Sequence, residues 1–216
     1  MKNGYLSDLT LIHPPREGLT VSTLLLKGQK SAVTFFSLGQ GTDISSESYP
    51  SATVYLCLAG DLILKKGEKE VTLSPYDLYL NPNDVLLGQR SKKGCGYVEI
   101  RTGEESKDMN CTIKPGEVFR LQERIDYQPE SIVNRDLRSN GKRKFVLMAL
   151  DKGQELSSHR APGEAIVFLL EGEARITYEG KDYLVKQGEE FHFAKGGLHA
   201  LKALTPFKMA LLLVLE

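Results

Sequence analysis

Apolar positions along this chain come in short runs and not at helical spacing. The segments SAVTFFSL (31–38), TVYLCLAGDLILKK (53–66), KFVLMAL (144–150), AIVFLLEGEARITYEG (165–180) and PFKMALLLVL (206–215) are β-branched, aromatic or leucine-rich. Gly, Pro, Asn and Asp interrupt such runs about every eight to twelve residues, the spacing of strands joined by tight turns. No window keeps a helical period over three turns; the best, EVFRLQERI (117–125), predicts one short helix. Many short strands with regular turns predict an all-β chain closed into sandwiches or barrels, because antiparallel sheets hide their edges that way.

The pattern then repeats at a fixed offset of 112 residues. Gly41 falls on Gly153, Ser45 and Ser46 on Ser157 and Ser158, Pro50 on Pro162, Gly60 on Gly172 and Lys69 on Lys181. Apolar positions keep the same register: Val54 on Ile166, Leu58 on Leu170, Tyr79 on Phe191, Cys95 on Phe207 and Ile100 on Leu212. Turn glycines and strand patterning recurring together predict two β domains of one design, 1–108 and 109–216. The charged stretch TGEESKDMN (102–110), free of apolar periodicity, is the expected joint.

Composition narrows the function classes. Lys and Arg number 28, Asp and Glu number 28, and the two signs are evenly spread over both halves. Neither half is a basic face, so the expectation is no nucleic-acid partner and no anionic membrane. The N-terminus has no continuous apolar stretch of the signal-peptide kind, and the longest apolar run, MALLLVL (209–215), is far short of the roughly eighteen residues of a membrane span. Cys57, Cys95 and Cys111 form an odd, sparse set without CxxC, which predicts a reducing, cytoplasmic setting and buried, inert thiols. Phosphate-loop, dinucleotide-loop, HExxH and GxSxG motifs are absent from the sequence.

Of the four histidines, His13 sits in a Pro-rich N-terminal segment, while His159, His192 and His199 all fall in the second repeat. Around His159 the chain reads GQELSSHRAPGEAIVFLLEGEA: a turn glycine, a histidine six residues on, a Pro-Gly turn and a strand. Around His199 it reads GEEFHFAKGGLHALKA, with a histidine eleven residues after the first glycine. These segments resemble the two motifs of the cupin superfamily, the small RmlC-like jelly-roll barrels. Gly153, His159 and Gly172 match the first motif, G-x5-H-x-H-x(3,4)-E-x6-G, and Gly188, Gly196 and His199 match the second, G-x5-P-x-G-x2-H. With the internal repeat, the resemblance implies two tandem RmlC-like barrels in one chain, a bicupin packed as an intramolecular pseudo-dimer and able to form a homodimer.

In metal-binding cupins three histidines and a glutamate converge inside the barrel. Here the second histidine of the first motif falls on Ala161 and the glutamate on Ala165. Glu164 is adjacent, but alternation along a strand sends it to the opposite face from Ala161 and Ala165 unless a bulge at Pro162-Gly163 resets the parity. His192 lies between Phe191 and Phe193, and two aromatics on one face send it to the other. The first repeat places Glu47, Leu87 and Thr53 where the second has His159, His199 and Ala165, so it is expected to keep the fold without a site.

The expected site is therefore His159 and His199 in the second barrel, with Glu164 as a further ligand-binding candidate and His192 as an outside metal ligand. The expected partner is a small organic molecule held in an apolar pocket, with His159 and His199 as polar anchors or as ligands of one weakly held divalent metal (Zn, Fe, Mn or Ni). Three alternatives stay open beside it: a metal-dependent enzyme of dioxygenase or isomerase type, a metal-free isomerase or epimerase with the two histidines as acid and base, and a purely structural pair.

Overall fold

The computed structural model describes residues 4–28, 31–101, 103 and 110–215. Among them strands carry nearly all the regular structure; helix is limited to Leu9–Ile12 and the 3-10 turn Leu121–Arg124. The runs read as strands are strands: Ala32–Leu38, Thr53–Gly60, Leu62–Lys66, Arg143–Leu150, Glu164–Glu171, Glu173–Tyr178 and Phe207–Val214. The short helix expected over 117–125 is different. Val118–Arg120 is a strand hydrogen-bonded to Asp77–Asn81, and only Leu121–Arg124 coils. Tertiary pairing of Val118 and Phe119 overrides the weak local period there.

Two compact units divide the chain, one of residues 9–28, 31–101, 103 and 113–120, the other of residues 4–8, 110–112 and 121–215. A boundary between 108 and 109 lies outside the described residues, as does most of the joint at 102–110. Relative to that boundary two short segments are exchanged: residues 4–8 belong to the later unit and 113–120 to the earlier one.

The earlier unit pairs a six-stranded sheet, in the order 118–120, 77–81, 53–60, 95–101, 32–38, 20–27, with a four-stranded sheet, in the order 43–47, 87–90, 62–66, 69–73. Leu38, Tyr55, Tyr97 and Cys95 from the first sheet pack against Leu62, Leu64, Leu73 and Leu87 from the second. The later unit repeats the plan. Its larger sheet runs 5–7, 190–193, 164–171, 207–214, 143–150, 132–140, 110–111, and its smaller one 155–160, 198–203, 173–178, 181–186. Val167, Phe191, Phe207 and Met209 meet Ile176, Val185 and Leu201 between the sheets. Each such side chain, fully buried, contributes about 1.5–3 kcal/mol. The fold is all-β, two tandem jelly-roll barrels.

The repeat extends to the irregularities. Gly60 and Gly172 both have positive φ, 68° and 77°. A Cβ on Gly60 would lie 2.2 Å from the Gly94 carbonyl oxygen, and one on Gly172 would lie 2.0 Å from the Pro206 carbonyl oxygen. Residues 94 and 206 are themselves 112 apart, so both barrels make the same close backbone crossing, open only to glycine. Cys57 and Cys95 are buried as expected, whereas Cys111 is exposed, because the two-residue strand Asn110–Cys111 lies at the edge of its sheet.

Candidate functional site

Glu155–Arg160 and Leu198–Ala203 pair antiparallel in the smaller sheet of the later barrel, and in their register His159 stands opposite His199. A register shift between Leu156 and His159, at Ser157-Ser158, changes the parity of the strand. Leu156, His159 and Ala161 consequently all line one cavity, which simple alternation would not allow. The same shift falls between Ile44 and Glu47 in the earlier barrel, where Glu47 stands opposite Leu87.

The two imidazole rings lie 4.3 Å apart centroid to centroid, at 53°. His159 Nδ1 is 2.8 Å from the Ser157 carbonyl oxygen and His199 Nδ1 is 3.1 Å from that of Gly197. A carbonyl oxygen only accepts, so both rings are assigned the tautomer that donates from Nδ1, and each presents the lone pair of Nε2. Phe193 packs against His199 with ring centroids 4.4 Å apart. Burial pushes the His199 pKa below the ordinary imidazole value; the Gly197 carbonyl opposes that shift and neighbouring His159 adds to it. His199 is thus held neutral at pH 7.

The cavity measures about 210 Å³. Its walls are Met148, Leu156, Ala161, Pro162, Ala165, Val167, Phe193, Leu201, Met209, Leu211 and Leu213, with His159 and His199 as the only ring-nitrogen donors or acceptors. Ala161 and Ala165 lie on the wall where the motif of metal-binding cupins has a histidine and a glutamate. Among the described residues no three His, Cys, Asp or Glu side chains gather as a metal site. Zinc centres use three or four protein ligands, and non-haem iron centres two histidines with a carboxylate. The two imidazoles fall short of both sets.

The other sequence candidates lie elsewhere. Glu164 alternates with Ala165 on Glu164–Glu171, and it is Ala165 and Val167 that line the cavity; Glu164 takes the opposite face, half-buried. From Glu164 to Leu169 the register with Met209–Val214 is unbroken, so the alternation holds from Glu164 onward. His192 also points away from the cavity, since its neighbours Phe191 and Phe193 occupy the inner core. It is neither exposed nor a ligand to the pair: it is 2% exposed, with its ring stacked on Tyr5 at 4.7 Å and 6°. Tyr5 arrives on the strand Tyr5–Ser7, which pairs with Glu190–Phe193 and puts Tyr5 opposite His192. Burial depresses the His192 pKa to about 4, and its Nε2 has no hydrogen-bond partner.

Inside the earlier barrel the corresponding positions are polar. Tyr55, Tyr97, Glu99 and Arg101 stand where the later barrel has Val167, Met209, Leu211 and Leu213. Glu99 is 3% exposed, with its Oε1 3.1 Å from Arg101 Nε and the Tyr55 hydroxyl hydrogen-bonded to it. Sequence reading passed over this group. The alternation Tyr97-Val98-Glu99-Ile100-Arg101 was its only signal, and both faces of that strand are buried, so hydrophobicity alone does not reveal which face is inside.

A cupin domain family model matches residues 146–215. Over its whole length the chain is similar to a cupin 2 conserved barrel domain protein from Leptotrichia buccalis, with 26% identity and a TM-score of 0.87, covering 99% of this chain and 98% of that one. It shares the fold with salicylate 1,2-dioxygenase from Pseudoaminobacter salicylatoxidans, at 12% identity, a TM-score of 0.69, and coverage of 99% and 82%. AerE from Microcystis aeruginosa shares it at 14% identity and a TM-score of 0.56, with coverage of 99% and 98%. No curated protein matches the sequence. The Gly153, His159 and Gly172 landmarks and those at Gly188, Gly196 and His199 all fall within the matched residues 146–215, which form a cupin domain, and the whole chain shares the fold of a cupin conserved barrel protein.

Proposed function

We propose that the C-terminal barrel binds a small, largely apolar organic molecule carrying a hydroxyl or other hydrogen-bond donor, which Nε2 of His159 or of His199 accepts. The observation that carries this reading is the 210 Å³ apolar cavity whose polar lining is the imidazole pair, each ring fixed by a backbone carbonyl on Nδ1. Apolar cavities of about 150 Å³ admit benzene, so a single substituted ring or a short branched chain is the size of occupant supported. The wall supplies affinity by desolvation and the imidazoles supply orientation.

The test is calorimetric titration with phenol and with toluene, which match in shape and differ in the donor. Phenol is expected to bind more tightly by about 1 kcal/mol, near fivefold, the net worth of one hydrogen bond. The preference should vanish in a His159→Ala, His199→Phe double variant. Failure of both probes to bind, or a phenol preference unchanged in that variant, would overturn the proposal.

The same tautomers favour a second reading. Two Nε2 lone pairs from neighbouring strands could hold a divalent metal whose coordination is completed by water or substrate, the basis of a metal-dependent enzyme of dioxygenase or isomerase type. Elemental analysis of protein expressed in metal-supplemented medium separates the two. Stoichiometric Zn, Fe, Mn or Ni that disappears in His159→Ala would favour the metal reading; equal, trace metal in both proteins would remove it.

A further inference from the structure

The earlier barrel carries a cavity of about 490 Å³ lined by Lys27, Ser31, Tyr49, Pro50, Arg101 and Leu24, among others, with no carboxylate among the described residues of its wall. Tyr49, Pro50 and Arg101 are 112 residues from Ala161, Pro162 and Leu213, which line the cavity of the later barrel. The two cavities therefore open at the same place in their respective barrels. Their chemistry differs: one is apolar with two imidazoles, the other brings two permanent cations together.

Arg101 is positioned from behind and from the side. Glu99, buried beneath it, meets Nε at 3.1 Å, and the Tyr49 ring lies 4.9 Å from the guanidinium carbon. Tyr49 is itself anchored by donating its hydroxyl to Glu47 at 2.5 Å. Nε faces the Glu99 carboxylate as an ion pair at 3.1 Å without a hydrogen bond formed, and the two terminal nitrogens of the guanidinium are a fork that matches an oxyanion in two-point contact. Glu99 offsets Arg101, and Glu47, which accepts from the Tyr49 hydroxyl, is a second carboxylate beside the wall; Lys27, which pairs with no described carboxylate, is the cation left for a ligand. Ser31 Oγ is buried without a hydrogen-bond partner, a donor whose isolation is costly until something accepts from it.

We propose that this cavity is a second ligand site, taking a small organic anion with a carboxylate or phosphate head on Arg101, Lys27 and Ser31 and its apolar body against Leu24 and Pro50. It is independent of the imidazole site.

Titration of the full chain with benzoate, phenyl phosphate and neutral benzamide tests it, the two anions distinguishing the head groups. At least one anion is expected to bind saturably and to weaken at least tenfold in Lys27→Met, whereas benzamide, whose N–H donors suit the imidazole cavity, is expected to bind Lys27→Met as it binds the unaltered chain. Lys27 is exposed, so that variant keeps its fold, whereas Arg101→Met strands Glu99 and is read only if its circular dichroism is native. The His159→Ala variant should bind the anion as the unaltered chain does. Absence of saturable binding by both anions, benzamide binding weakened by Lys27→Met as much as the anion's, or anion affinity retained in Lys27→Met would overturn the proposal. So would anion binding lost in His159→Ala.

Discussion

At the residue scale the two barrel histidines and His192 share one residue type and three environments. His199 accepts on Nε2 only while neutral, and burial holds its pKa below the usual 6.5. Phenol affinity should therefore be flat above pH 7 and fall as pH drops through the His199 pKa, which calorimetry across pH 4–8 would follow. His192 works on stability. Its folded pKa is about 4 against an unfolded value near 6.5, so the unfolded chain takes up a proton over that window and the folded chain does not. Stability is unaffected above pH 6.5, is lost between 6.5 and 4 by about 3 kcal/mol, and stays level below. His192→Phe, which keeps the stack on Tyr5, should flatten that slope in urea unfolding measured at pH 7 and pH 4.5; an unchanged slope would show that another group carries it. The sequence revealed the faces of His159, His199 and His192 through motif and parity. It did not reveal what covers His192, because Tyr5 lies 187 positions away and nothing local marks it as the stacking partner.

Elements carry their own evidence of the repeat. The glycine crossings at Gly60 and Gly172 combine positive φ with a carbonyl oxygen inside contact distance. Gly60→Ala and Gly172→Ala should each cost about 2 kcal/mol or more, read as a fall in the denaturant midpoint. Gly153 has positive φ, 85°, but open space around it, and Gly153→Ala should cost about 1 kcal/mol, the strain of the conformation alone. Strand positions were legible because apolar runs bounded by turn residues have few other ways to bury themselves. The bulge at Ser157-Ser158 was not, since two serines look the same in a regular strand and in a bulge, and it is this bulge that lets Leu156 and His159 share a wall. The segment 117–125 read as a helix for a related reason: its few apolar residues fit two periods, and only the partner strand Asp77–Asn81 decides between them.

At the scale of the whole molecule, each barrel ends its larger sheet on a strand from the far side of the sequence midpoint: Val118–Arg120 beside Asp77–Asn81, and Tyr5–Ser7 beside Glu190–Phe193. An uncovered sheet edge invites pairing with other chains. A fragment of residues 9–120 contains every segment of the earlier unit and is expected to be monomeric with a cooperative thermal transition, while residues 1–108 lack the edge strand and are expected to associate. Size-exclusion chromatography and melting by circular dichroism compare them. Equal behaviour of the two fragments would show that the edge strand is dispensable. The offset of 112 announced two barrels of one design, yet periodicity cannot register an exchange of edges, because three-residue strands leave too short a pattern to read.

The central claim is that His159 and His199 present unprotonated Nε2 atoms to an apolar cavity, and long-range proton–nitrogen correlation spectra of the labelled imidazoles report on those atoms directly. At pH 7.5 both rings should show the Nδ1-protonated tautomer, and added phenol should saturably shift the Nε2 resonance of the ring that accepts its single hydroxyl proton. Nε2-protonated rings, or Nε2 resonances unmoved by phenol at saturation, would contradict the account.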